Sequence, residues 1–136
     1  MIERMGIGVL LLCLGATPAP AAEQTALDQP LMIGGSPDTP ACGGGAIVVG
    51  LDPQGDNFLS VRSGPGGKAF RERDRITSGM RVKVCDMIGP WYGIVYSPSG
   101  TNDGCGVSRP WPTRVSYAGS CRQGWAHSRY LTYVPD

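Results

Sequence analysis

Leu59-Ser60-Val61-Arg62-Ser63-Gly64-Pro65-Gly66 decides how this chain is read: a short alternating strand runs straight into a Gly-Pro-Gly turn. Leu59 and Val61 fall on one face, Ser60 and Arg62 on the other, which is the period of a half-buried strand. Upstream, Ala46-Ile47-Val48-Val49-Gly50 reads as a first strand, and the turn-forming run Asp52-Pro53-Gln54-Gly55-Asp56-Asn57 joins the two. Downstream, residues 68–79 are polar, with the charge alternation Arg71-Glu72-Arg73-Asp74-Arg75. Met80-Arg81-Val82-Lys83-Val84-Cys85 alternates again, Met80, Val82 and Val84 facing inward. Ile88-Gly89-Pro90 is a tight turn, residues 91–96 form the next strand, and residues 124–127 lead through Ser128-Arg129 to a last one. No helix longer than a turn and no repeat follows the N-terminal segment, so the chain of 136 residues is read as one all-β domain.

The N-terminal segment has its own pattern. Arg4 precedes an apolar run over residues 7–14, then small residues and prolines end in Ala19-Pro20-Ala21-Ala22. That layout predicts a secretory signal peptide over residues 1–22, with too short an apolar run to span a bilayer comfortably. Cys13 would be removed with it, leaving Cys42, Cys85, Cys105 and Cys121. An even count in a small exported chain reads as two disulfides, and a periplasmic or secreted location is expected. A four-thiolate zinc site fits poorly, since no pair has the two-residue spacing of a zinc knuckle. Cys42–Cys85 with Cys105–Cys121 is the favoured pairing, although four cysteines allow three pairings. The second bridge would close a Pro- and Gly-rich stretch, residues 97–120, read as an irregular insertion. Residues 23–45, rich in Pro, Gly, Ala and Asp, read as a flexible acidic leader whose one apolar knot is Leu31-Met32-Ile33.

Three phrases taken in order, residues 59–66, Pro90-Trp91-Tyr92-Gly93-Ile94-Val95-Tyr96 and Gly124-Trp125-Ala126-His127-Ser128-Arg129-Tyr130-Leu131, resemble the bacterial Src-homology-3 (SH3b) family. The resemblance covers residues 46–133. It implies a small SH3-like barrel of five to seven short strands, with residues 68–79 as its long first loop. It also implies a role at the bacterial cell wall, often on the peptide part of peptidoglycan. The insertion departs from the family pattern and would cover or replace the family's groove.

Charge and aromatic content bear on what such a barrel would bind. Residues 22–57 carry five acidic groups and no Lys or Arg, whereas residues 58–131 carry eleven basic groups against four acidic ones. The basic surplus suits an anionic partner, or is simply a solvated surface. Trp91, Tyr92, Trp111, Trp125 and Tyr130 are candidate binding rings, each weighed against core packing. Trp91 and Tyr92, being adjacent on a strand, cannot both face inward. Arg71, Arg73 and Arg75 lie two apart, so in an extended loop they share a face and would meet a carboxylate. Catalysis has little to rest on: His127 is the lone histidine, its neighbours make no triad, and the cysteines are better explained as bridged. No catalytic residue, metal site or cofactor is expected. The expected function is therefore a non-catalytic exported module, monomeric, binding peptidoglycan peptides and not nucleic acid. An envelope protein-interaction or assembly factor using the insertion as its contact surface is the alternative, and a small hydrolase or inhibitor a third class.

Overall fold

The computed structural model describes residues 26–134, together with Gly8 and Gly15. The expected signal peptide lies outside the described residues. Eleven strands follow in chain order: β1 (Met32–Ile33), β2 (Ser36–Pro40), β3 (Gly44–Val48), β4 (Leu59–Arg62), β5 (Glu72–Ile76), β6 (Arg81–Ile88), β7 (Trp91–Tyr96), β8 (Pro110–Trp111), β9 (Val115–Ser116), β10 (Arg122–His127) and β11 (Leu131–Val134). A single 3-10 turn, Ser128–Tyr130, joins the last two.

The chain is all-β and antiparallel, as expected. Seven strands form one sheet in the order β11-β3-β6-β7-β10-β4-β5. Every one of them sends side chains into a single core: Leu131, Ala46 and Val48, Val82 and Val84, Ile94 and Tyr96, Ala126, Leu59 and Val61, and Ile76. A flat sheet of seven strands at about 4.8 Å spacing would hold its edge residues about 29 Å apart. Leu131 and Ile76, from the two edges, share one core because the sheet curls round it. The alternation of β4 and β6 therefore points where the sequence reading placed it.

Two expectations need correcting. Residues 71–76, read as part of a loop, contain β5, which pairs with β4 through Leu59↔Ile76 and Val61↔Asp74. Its alternating charge hides a strand because only Ile76 at its end is buried. Residues 26–45, read as a leader without strands, contain β1, β2 and the start of β3. Strand β1 pairs with β9 and β2 with β8, so the leader and the insertion complete each other's ladders. Together they bury a second core on the outer face of β7, where Leu31, Ile33, Val107 and Tyr117 gather over Val95. Burial of that apolar knot supplies what composition alone denies the segment.

The second core also holds both disulfides, Cys42–Cys85 and Cys105–Cys121. A bulge in the β6–β7 register falls between Val84 and Asp86, so Cys85 has no partner in β7 and is bridged to the leader instead. Tyr117 brackets the other bridge: its hydroxyl donates to the Cys105 carbonyl at 3.0 Å and accepts the Cys121 N–H at 3.1 Å. Sequence separations of 43 and 16 residues correspond to about 4 and about 3 kcal/mol in the chain-entropy account. Two disulfides are consistent with a protein working outside the reducing cytoplasm. Among the described residues no helix is long and apolar enough to cross a membrane.

Candidate functional site

The Gly64-Pro65-Gly66 turn after β4 exists to admit a ring. A Cβ at Gly64 would lie 2.4 Å from the Phe70 ring, and one at Gly66 would lie 2.8 Å from it. The turn is thereby held close to β4, and the Arg62 guanidinium donates to the Phe70 carbonyl at 3.0 Å. Beside it opens a groove of about 460 Å3.

Its aromatic walls come from three places in the chain. Trp91 opens β7 and His127 closes β10; they are register partners, so their rings stand on the same side of the ladder. The rings meet edge to face with centroids 5.0 Å apart. Tyr130, on the 3-10 turn, lines the same groove. That turn is capped by His127, whose Nδ1 accepts the Arg129 N–H at 3.1 Å. Phe58 lines it from the far side, under the Arg75 guanidinium at 4.1 Å. Arg75 is itself fixed to Glu72 at 2.6 Å, and the Ser60 hydroxyl donates to the other oxygen of that carboxylate at 2.6 Å. Those two hydrogen bonds, Ser60's the stronger influence, hold the Glu72 carboxyl below its ordinary range.

Charge of both signs borders the groove: Arg62 and Lys68 on one side of the chain's turn, Asp52 and Asp56 on the connection between β3 and β4. Asp52 also shapes that connection, accepting the Gln54 N–H at 2.8 Å.

Of the residues singled out in the sequence, the groove brings together Trp91 and Tyr130 alone. Tyr92 packs on the opposite side, against the first core and edge to face with Tyr133 at 5.7 Å. The pair divides between two faces, as alternation requires. Trp125 is fully buried, and its indole N–H donates to the Gln29 carbonyl at 2.9 Å. The leader covers it, so it meets no ligand. Trp111 packs half-buried on the second core, its indole N–H donating to the Gly106 carbonyl at 3.0 Å, with Arg109 over the ring.

The three arginines do not converge on one face. Arg71 donates to the Ala26 carbonyl of the leader at 3.3 Å. Arg73 is half-buried close to Asp28 and Tyr96, and burial pulls its guanidinium below the ordinary value. Arg75 lies over Phe58. Pairing of β5 at a register shift between Val61 and Arg62 breaks the simple two-residue repeat that an extended loop would keep.

Asp52, Asp56, Phe58, Arg62, Lys68 and His127 line the groove although the sequence reading did not offer them as binding residues. Alternation had already put Arg62 outward, and His127 lay inside a family-like phrase. What was not legible is the ladder partner that sets Trp91 beside His127. Comparison with family models, curated proteins and solved structures finds no significant match for this chain.

Proposed function

We propose that the protein is a non-catalytic binding module of the bacterial envelope, periplasmic or secreted, which holds the peptide part of peptidoglycan in the Trp91–His127–Tyr130 groove. One observation carries the reading: an open groove with aromatic walls and charges of both signs at its edges. Aromatic rings offer contact area at little cost in rotamer entropy, which suits short, flexible ligands. Wall peptides carry carboxylates and amines, and the cationic pair Arg62/Lys68 and anionic pair Asp52/Asp56 complement both. The resemblance of the strand phrases to the SH3b family supports the same choice of ligand. Two polar groups of the groove are engaged in structure, the Ser60 hydroxyl with Glu72 and the His127 Nδ1 with the backbone, which supports holding a ligand over transforming one.

Sedimentation with purified sacculi tests this. The wild-type chain is expected in the pellet at about 0.15 M salt, where charge alone is screened beyond about 8 Å. Trp91→Ala with Tyr130→Ala is expected to lower retention at least about tenfold, the loss of two buried ring contacts. A wild-type protein left wholly in the supernatant removes the proposal.

A further inference from the structure

His127 is the single histidine of the chain, and its ring is held on two sides. Its Nδ1 accepts the Arg129 N–H, and its ring makes a T-shaped contact with Trp91. A nitrogen that accepts a hydrogen bond carries no proton, so in the neutral ring the proton sits on Nε2. Among the described residues nothing accepts from that Nε2–H, and the ring lines the groove. A donor fixed at two points and left unspent in an aromatic groove is a recognition element.

We propose that His127, as the neutral Nε2–H tautomer, donates to a carbonyl oxygen of the bound peptide, and that protonating the imidazole switches the groove off. The proposal rests on the groove binding peptides as argued above and adds the residue that reads the ligand's backbone. The acceptor is a carbonyl because charges of both signs line the same groove: Asp52 and Asp56 on the connection before β4, Arg62 at the end of β4 and Lys68 after the following turn. A ligand's own charged ends are drawn to those rims, leaving its peptide backbone over the ring.

Switching follows from the cap. Protonation places a hydrogen on Nδ1, which then faces the Arg129 N–H donor to donor. The 3-10 turn loses its N-cap, and Tyr130, a wall of the groove, is carried on that turn. The titratable and charged groups around the ring are Asp52, Asp56, Arg62, Lys68, Arg129 and Tyr130.

The probe is a mixture of soluble muropeptides released from purified sacculi, titrated into the full chain. Wild-type affinity is expected to fall about tenfold from pH 8 to pH 5.5. His127→Asn keeps a side-chain oxygen able to accept the Arg129 N–H but has no atom at the Nε2 position. It is expected to bind about fivefold more weakly than wild type at pH 8, with a flat profile. Because the chain has one histidine, its ring nitrogens give a single assignable pair of NMR signals on the unmutated protein. These are expected to report the Nε2–H tautomer at pH 7.5 and to move on adding muropeptides. If the wild type binds no muropeptide, the peptide-binding reading falls and this proposal with it. If it binds with a flat pH profile, or His127→Asn binds equally well, or the free protein holds its proton on Nδ1, only the role of His127 is overturned.

Discussion

At Gly124 the strands β10 and β4 approach so closely that a Cβ would lie 2.5 Å from the Val61 Cγ1 and 2.9 Å from the Arg62 carbonyl. Neither neighbour can give way, since Val61 is fully buried and the carbonyl is backbone. Gly124→Ala is therefore expected to destabilise by about 1 to 3 kcal/mol, the usual cost of forcing atoms into a filled core. Gly43→Ala, with nothing within 4 Å, is expected to change stability by less than about 0.5 kcal/mol. Thermal melts of the two variants check the contrast, and equal shifts contradict it. Tyr96 makes a second residue-scale case. Its buried hydroxyl donates to Asp74 at 2.7 Å, and Arg122 reaches the same carboxylate oxygen at 3.1 Å. Burial first, then the Asp74 carboxylate, push the Tyr96 hydroxyl well above the ordinary tyrosine value. A pKa raised on folding contributes stability that is fully present below the unfolded value, about 10, and lost as pH rises beyond it. Stability is expected to decline above about pH 10, more steeply in the wild type than in Tyr96→Phe; parallel declines in alkaline denaturation series rule the argument out. Burial of Trp125 was not legible at this scale, because its partner Gln29 lies 96 residues away and belongs to a segment with no strand-like pattern of its own.

Elements differ in how openly they announce themselves. β4 and the first half of β6 carry apolar residues at every second position, so their inward faces could be read directly, whereas β7 is apolar on both faces and announced a strand without a side. β1, β2, β8 and β9 could not be, since ladders of two to five residues exist only through each other. The leader's hold on the barrel is specific: Gln29 N–H donates to the Ser63 carbonyl at 3.1 Å, the Ser63 hydroxyl donates to Asp28 at 2.5 Å, and Leu31 is buried to 1% exposure against Gly93. Gly93 leaves the space that Leu31 fills, its missing Cβ being 3.1 Å from the leucine side chain. Leu31→Ala is expected to cost about 3 kcal/mol, in the range for a large side chain removed from a filled site. Because the leader also shields Trp125, the same change is expected to shift that indole's fluorescence to the red. An unshifted spectrum in a folded variant would mean that the leader does not depend on this contact.

Across the whole molecule β7 is the shared wall of two cores, with Ile94 and Tyr96 in one and Val95 in the other. A strand that loses either neighbour loses half of its burial, so the inner sheet and the leader–insertion cap support each other. Yet their means differ. The inner core rests on apolar packing of seven paired strands, while the cap owes its closure to two disulfides and a few short ladders. In the oxidised protein the two units are expected to melt together, with far-UV circular dichroism and tryptophan fluorescence giving one midpoint. Reduction removes chain constraints worth about 3 and about 4 kcal/mol, the first closing the insertion and the second tying the leader to β6. The tryptophan signal left by Trp91→Phe, that of Trp111 and of the leader-covered Trp125 together, is then expected to be lost at lower temperature than the sheet's dichroism. Coincident midpoints after complete reduction would show that packing on β7, and not the covalent bridges, holds the cap in place. The groove lies on β4, β7, β10 and the turn after β10, outside the cap, so peptide binding is expected to outlast reduction at temperatures where the sheet remains folded. Loss of binding in step with that tryptophan signal would instead make the cap part of the groove's support.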